Sequence, residues 1–225
     1  MTLSEQMIAV GQKYLAANRQ TSYVKGMIDN SLSVEQKDYY NIQDISFEYN
    51  EVSVIAALQR YANSVAEATV FTKRMDLQVT MLNDWLAHNV HPAPTTWQEL
   101  AHVDVEPINQ LYQQHMAATI PSGEILQILP SFYAGEWIYV KLGQQLQISG
   151  LPVAKPNSDF LGEHGYLNEY AHFVDQEATH ATGSQCRQAL ATFTKSAVLE
   201  CYFWNAAYQQ DSWKKWRERA IKAQY

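Results

Sequence analysis

Four side chains could do acid, base or nucleophilic chemistry from otherwise apolar surroundings: Glu200, Asp44, Glu51 and Ser131. Read at steps of three and four, Cys186, Leu190, Phe193, Ala197, Glu200, Trp204 and Tyr208 form one face of a helix, and Glu200 is its only charge. A carboxylate buried there without a partner is very costly. Glu200 must therefore have a dedicated partner, a proton or a ligand, which makes it the first site candidate in the chain. Asp44 and Glu51 share the row Tyr40, Asp44, Phe47, Glu51, Val54, Leu58, Tyr61. They stand two turns apart, roughly 10 Å along the axis. The plain reading pairs each with a nearby Arg, Lys or Tyr; the functional reading sets both on a cavity wall. Ser131 follows Pro130, which removes one backbone donor and kinks a helix. With Ala134 and Gly135 beside it, the kink either opens a pocket toward Ser131 or permits close helix packing.

The chain carries 14 Tyr, 6 Trp and 7 Phe. Singly these are core residues. As walls around a few carboxylates they suit a flat heteroaromatic guest. A carboxylate can accept from an exocyclic amine and from an adjacent ring nitrogen if the ring is protonated or the acid is neutral.

The elements that must position these residues are helices. The spacing predicts helices over 3–18, 20–29, 34–63, 64–89, 105–120, 124–147, 162–176 and 184–210, with a last one from Ser212. This is an all-α bundle of about eight helices in a single domain over 1–225. Ser33 and Gln36 fit a capping box at the start of the third. That helix has a second apolar face, Ile42, Ile45, Tyr49, Val52 and Ile55, so it is expected to be covered on both sides. Loops are predicted over 91–104, with a short helical turn, and over 149–160. Pro121-Ser122-Gly123 is predicted to break the chain before Glu124.

With 225 residues, 47% hydrophobic and 17% charged, the chain is long enough for a sizeable core. The net charge of −7 argues against nucleic-acid binding. The basic run WKKWRERAIK reads as a solvated last helix. No apolar run approaches the roughly 18 residues that a membrane span needs. The amphipathic first residues do not form a signal peptide, and Cys186 and Cys201 have no metal or redox spacing. A cytoplasmic protein with reduced thiols is expected.

Three segments, in order, resemble the TenA family of thiaminase II or aminopyrimidine aminohydrolases, which has the heme-oxygenase-like fold. Tyr39-Tyr40-Asn41-Ile42-Gln43-Asp44 is similar to the family's YY-x-x-QD signature. Leu129-Pro130-Ser131 resembles its Leu-Pro-Cys kink, and Ser196 to Trp204 its S-x-x-x-E-x-x-FW signature. Tyr23 to Leu32 looks like its opening segment. The resemblance implies that Asp44 holds a pyrimidine ring and that Glu200 handles protons. It implies a site walled by Tyr40, Phe47, Tyr112, Tyr133 and Phe203 with Glu51 near the mouth, no cofactor, and a homotetramer. It puts Ser131 where the family has an attacking Cys. It also puts Gly135, Phe47 and Ile108 where tyrosines would be expected, with Tyr112 one turn after Ile108. A serine hydroxyl is far less acidic than a thiol and needs a positioned base. Cys201 points about 100° away from Glu200 on a helix and reads as a small apolar residue. Ordinary thiaminase II chemistry is therefore expected to be weak or absent.

Three functions stay open. One is hydrolysis of an aminopyrimidine or related heteroaromatic amine in thiamin salvage or degradation, with Glu200 activating water. The second is a pyrimidine-binding protein without turnover. The third is a carboxylate-bridged metal oxidase drawing on Asp84, His88, Glu163, His164, His172, Asp175 and His180. Such sites need ligands from several facing helices, and His172, Asp175 and His180 do not keep one face, so no complete metal set is expected. Transcriptional activation finds no support, since no basic recognition helix is present.

Overall fold

The computed structural model describes residues 1–88, 94–148 and 166–222. Among them are ten α-helices and no strand: α1 Leu3–Asn18, α2 Ser22–Ile28, α3 Val34–Arg60, α4 Val65–His88, α5 Trp97–Leu100, α6 Pro107–Ala117, α7 Ile125–Ile148, α8 Leu167–Ala178, α9 Gly183–Gln209 and α10 Trp213–Lys222. A 3₁₀ turn at Ile120–Ser122 precedes α7. The count exceeds the nine helical spans read from the sequence by the four-residue α5, which falls where a short helical turn is expected. The expected loop 149–160, and the start of the helix predicted from 162, lie outside the described residues.

Local chemistry sets these boundaries. At α3, Ser33 and Gln36 form the capping box: the Gln36 backbone N–H donates to Ser33 Oγ at 3.2 Å, and the Ser33 N–H to Gln36 Oε1 at 3.0 Å. Thr2 with Glu5 and Thr182 with Gln185 start α1 and α9 the same way. Gly123 takes a left-handed φ of 67° between the 3₁₀ turn and α7, a conformation that needs no Cβ.

Helix α7 is buried from Ile125 through Gly135. It packs on α9, and α1 lies against both. Helices α3 and α6 pack on each other and on this pair, while α8 covers α7 elsewhere. The two faces expected of α3 are real. Tyr40, Phe47, Val54 and Leu58 enter the main core. Ile45 packs with Leu82 and Leu100 in a second cluster against α4 and α5, with Tyr49 and Val52 alongside. Because both sides of α3 are covered, acids along it are also drawn out of water.

Candidate active-site cleft

A cleft opens between α3, α4, α6, α7 and α9, about 640 Å³ including the part open to solvent. Asp44, Phe47, Glu48 and Glu51 come from α3, Arg74 from α4, Tyr112 from α6, Gly135, Glu136 and Tyr139 from α7, and Glu200 and Phe203 from α9.

A buried polar network registers α6 on α3. Asn109 Nδ2 donates to the Gln43 carbonyl at 2.8 Å, and the Glu106 N–H donates to Gln43 Oε1 at 3.0 Å. Glu106 caps α6 by accepting from the Ile108 and Asn109 backbone N–H groups at 2.8 and 2.6 Å. This places the Tyr112 ring 4.7 Å from Phe47. Its hydroxyl is hydrogen-bonded to the Glu200 carboxyl and to Ser196.

Glu200 is 2% exposed. Burial pushes its pKa up to about 8, with Glu48 adding to the rise and the Tyr112 hydrogen bond opposing it. Its Oε2 has no hydrogen-bond partner among the described residues. Burial also holds Asp44 well above the carboxylate range, reinforced by Glu48 and opposed by hydrogen bonds from Tyr40 and Tyr139. Tyr139 lies 3.4 Å from Asp44 Oδ1 and 2.6 Å from the Tyr40 hydroxyl. Tyr40 in turn stacks on Trp204, with ring centroids 5.0 Å apart.

The structure thus brings Asp44, Phe47, Glu51, Tyr112, Phe203 and Glu200 to one cleft. Tyr40 stands one residue behind it, reaching it through Tyr139. Two sequence-predicted site residues are elsewhere. Tyr133 packs against Tyr170 and Phe193 in the core. Ser131 is fully buried, and its hydroxyl donates to the Ile128 carbonyl at 2.7 Å. The expectation that the Pro130 kink aims Ser131 into the pocket is corrected by this placement. On α7 it is Gly135, one turn further, that faces Glu200: a Cβ there would lie 3.1 Å from Glu200 Oε1 and 3.2 Å from the Tyr112 hydroxyl. Among the lining residues there is no Cys, Ser, Thr, Lys or His. Cys201 is held between helices instead, accepting from Asn18 Nδ2 at 3.2 Å, and burial raises its thiol to about 11.

Sequence reading missed Glu48, Arg74, Glu136 and Tyr139. Arg74 Nε donates to Glu136 Oε1 at 2.8 Å, and its Nη2 lies 3.8 Å from Glu51 Oε2. Gln78 accepts from Arg74 and donates to Glu48 Oε2 at 2.7 Å. The pairing of Glu51 with an arginine is the plain reading of that acid. Of the residues named for the metal alternative, Asp175 accepts from Ser4, and His88 bonds the Asp84 carbonyl. Glu163 and His164 lie outside the described residues. Among the described residues no three His, Cys, Asp or Glu side chains are grouped to hold a metal ion.

No family model matches the chain. It is 22% identical, over 240 aligned positions, to an aminopyrimidine aminohydrolase from Bacillus subtilis, covering 99% of this chain and 95% of that protein. A TenA homologue from P. horikoshii superposes with a TM-score of 0.77 at 14% identity, covering 93% of this chain and 99% of that one. One from Pyrococcus furiosus gives 0.75 at 16%, covering 92% and 100%. The chain shares the fold of these TenA homologues over nearly its whole length. Its heme-oxygenase-like bundle is the fold that the TenA resemblance implies. No helix among the described residues is long and apolar enough to cross a membrane.

Proposed function

We propose that this protein acts as a TenA-like protein and binds an aminopyrimidine or related heteroaromatic amine in the cleft, with Asp44 on the ring and Glu200 handling the proton of a hydrolytic deamination. The observation that carries this reading is Glu200 Oε2, a buried carboxyl oxygen without a partner on an aromatic-walled cleft. An unpaired buried polar atom costs about 1–3 kcal/mol, which a ligand or water donor would recover. In the reaction, water oxygen adds to the ring carbon bearing the amine. Glu200 takes the proton from that water and returns it to the departing nitrogen, which leaves as ammonia. Among the described residues the cleft offers no thiol or aliphatic hydroxyl for covalent attack, so water is the nucleophile in this reading. An acid near pKa 8 can hold and release a proton close to neutrality.

The lack of a thiol or aliphatic hydroxyl among the described lining residues equally favours a second reading, a pyrimidine-binding protein without turnover. Incubation with 4-amino-5-hydroxymethyl-2-methylpyrimidine and assay of ammonia separates the two. Release that falls at least about 100-fold in Glu200→Gln supports hydrolysis. Calorimetric binding without ammonia supports the binding protein. No binding, or binding untouched by Asp44→Ala, removes both.

A further inference from the structure

Gln43 precedes Asp44 on α3 but does not line the cleft; it is buried against the start of α6. Four hydrogen bonds join it there. Its Nε2 donates to the Asp104 carbonyl at 3.0 Å, and its Oε1 accepts from the Glu106 N–H at 3.0 Å. Asn109 Nδ2 donates to its carbonyl at 2.8 Å and to its Oε1 at 3.1 Å. One turn along both helices the contact becomes aromatic, with the Phe47 and Tyr112 ring centroids 4.7 Å apart. Residues 43 and 47 are same-face neighbours on α3, as are 109 and 112 on α6, so the two helices meet in two rungs, one polar and one aromatic.

The rungs differ in precision. An aromatic pair is tolerant and keeps its attraction with centroids from about 4.5 to about 7 Å apart. A hydrogen bond from a hydroxyl to a carboxyl needs its oxygens about 2.5 to 3.0 Å apart. The Phe47 contact alone therefore does not fix the Tyr112 hydroxyl on Glu200. A slip of α6 by one residue would carry that hydroxyl about 1.5 Å along the axis and about 100° around it. Directional bonds at Gln43 and Asn109 forbid the slip.

We infer that Gln43, through Asn109, is a positioning residue that holds the Tyr112 hydroxyl on Glu200. Its bearing on catalysis rests on the proton-handling role proposed above for Glu200. Tyr112 favours the charged form of that acid, against burial and Glu48. When the polar rung is lost, Glu200 keeps its proton to higher pH.

The test follows the Glu200 carboxyl directly, by carboxyl-carbon NMR of the ligand-free full chain labelled at glutamate and assigned with Glu200→Gln. Turnover is a poorer gauge, because burial pushes Glu106, in the same network, up to about 7. The other titratable groups around Glu200 stay in place in every variant: Asp44, Glu48 and Glu51 from α3, Arg74 from α4, and Glu136 and Tyr139 from α7. Tyr112→Phe is expected to raise the midpoint from about 8 by about one pH unit. Gln43→Met, which keeps the volume and removes the polar rung, should raise it at least about half as far. Asn109→Ala should do the same, and it is the milder variant because Glu106 keeps its bond to Gln43. Adding Gln43→Met to Tyr112→Phe should raise it no further, since both act through one hydroxyl. Ser4→Ala, which removes a buried hydrogen bond to Asp175 outside the cleft, should leave the midpoint alone. A midpoint unmoved by Gln43→Met or Asn109→Ala overturns the positioning role. So does a Gln43 effect that persists in full without the Tyr112 hydroxyl, or one that Ser4→Ala reproduces. The expected shifts in a protein that neither binds nor deaminates the pyrimidine support the positioning and overturn the proposed function.

Discussion

Two buried carboxyls on opposite sides of the α9 C-terminus have opposite fates. Asp211 is 6% exposed and fully answered. Arg219 Nη2 donates to both its oxygens at 2.9 Å, the Trp216 indole donates at 2.6 Å, and its neighbour Ser212 gives a backbone N–H at 3.0 Å. Burial alone would raise this acid, but these donors outweigh it and hold Asp211 below the usual carboxylate range. Glu200 is 2% exposed and has one protein partner, Tyr112, with Oε2 left open. Burial therefore wins and its pKa rises to about 8. Burial does not separate these two acids. The number of donors that the fold supplies does.

The strongest way to break the contrast is to remove Arg74, the one cation that lines the cleft among the described residues. Arg74 is 4% exposed and faces Glu136 and Glu51. Arg74→Leu leaves buried carboxylates without compensation, and a loss of about 3–5 kcal/mol is expected in urea unfolding at pH 7.5. Burial raises Glu51, so the cost should shrink as pH falls and its charged form is lost. A variant as stable as the native protein at pH 7.5 would mean that these acids are already neutral without Arg74.

The next effect has opposite signs at the two acids. For Asp211, whose folded pKa is depressed, stability is present above the unfolded value and is lost as pH falls through the folded one. Asp211→Asn should cost about 1–3 kcal/mol at pH 7.5. Glu200 works the other way. Its folded pKa is raised, so its contribution is complete below about pH 4.5 and is lost as pH rises to about 8. Glu200→Gln should therefore raise stability at pH 8 by at least about 1 kcal/mol and flatten the fall in Tm between pH 5 and pH 8. Thermal unfolding of both variants across that range decides it. Destabilisation by both at pH 8 would make Glu200 a structural acid like Asp211.

Sequence reading found Glu200 and Asp44 because each interrupts an apolar helical row, and a charge in such a row has to be explained. The same logic found the two-faced α3, since its two stripes do pack into two clusters. It passed over Glu48 because that residue falls between the stripes, where a charge reads as solvated. The charge is half-buried because α4 brings Gln78 against it, with Arg74 behind, a tertiary fact with no periodic trace. Ser131 failed for a related reason. Residues 131 and 135 share one face of α7, and which of them borders the cleft depends on where Tyr112 and Glu200 arrive from other helices. Periodicity assigns a face and leaves the height along it open.

Gly135 is the finest test of the contrast, because there the fold leaves Glu200 open by withholding a side chain. A Cβ at this position would sit 3.1 Å from Glu200 Oε1 and 3.2 Å from the Tyr112 hydroxyl, close enough that one of them must move by a few tenths of an ångström. Alanine also gains about 1 kcal/mol of helix propensity over glycine, which offsets the crowding. Gly135→Ala should therefore change stability by less than about 1 kcal/mol. Its effect should appear in the site: Glu200 pressed toward Tyr112 loses alignment with the ligand, and affinity for the hydroxymethyl pyrimidine should fall by about three- to ten-fold. Unchanged binding, measured beside an unchanged Tm, would show that the open space beside Glu200 is a packing accident and not part of the recognition surface.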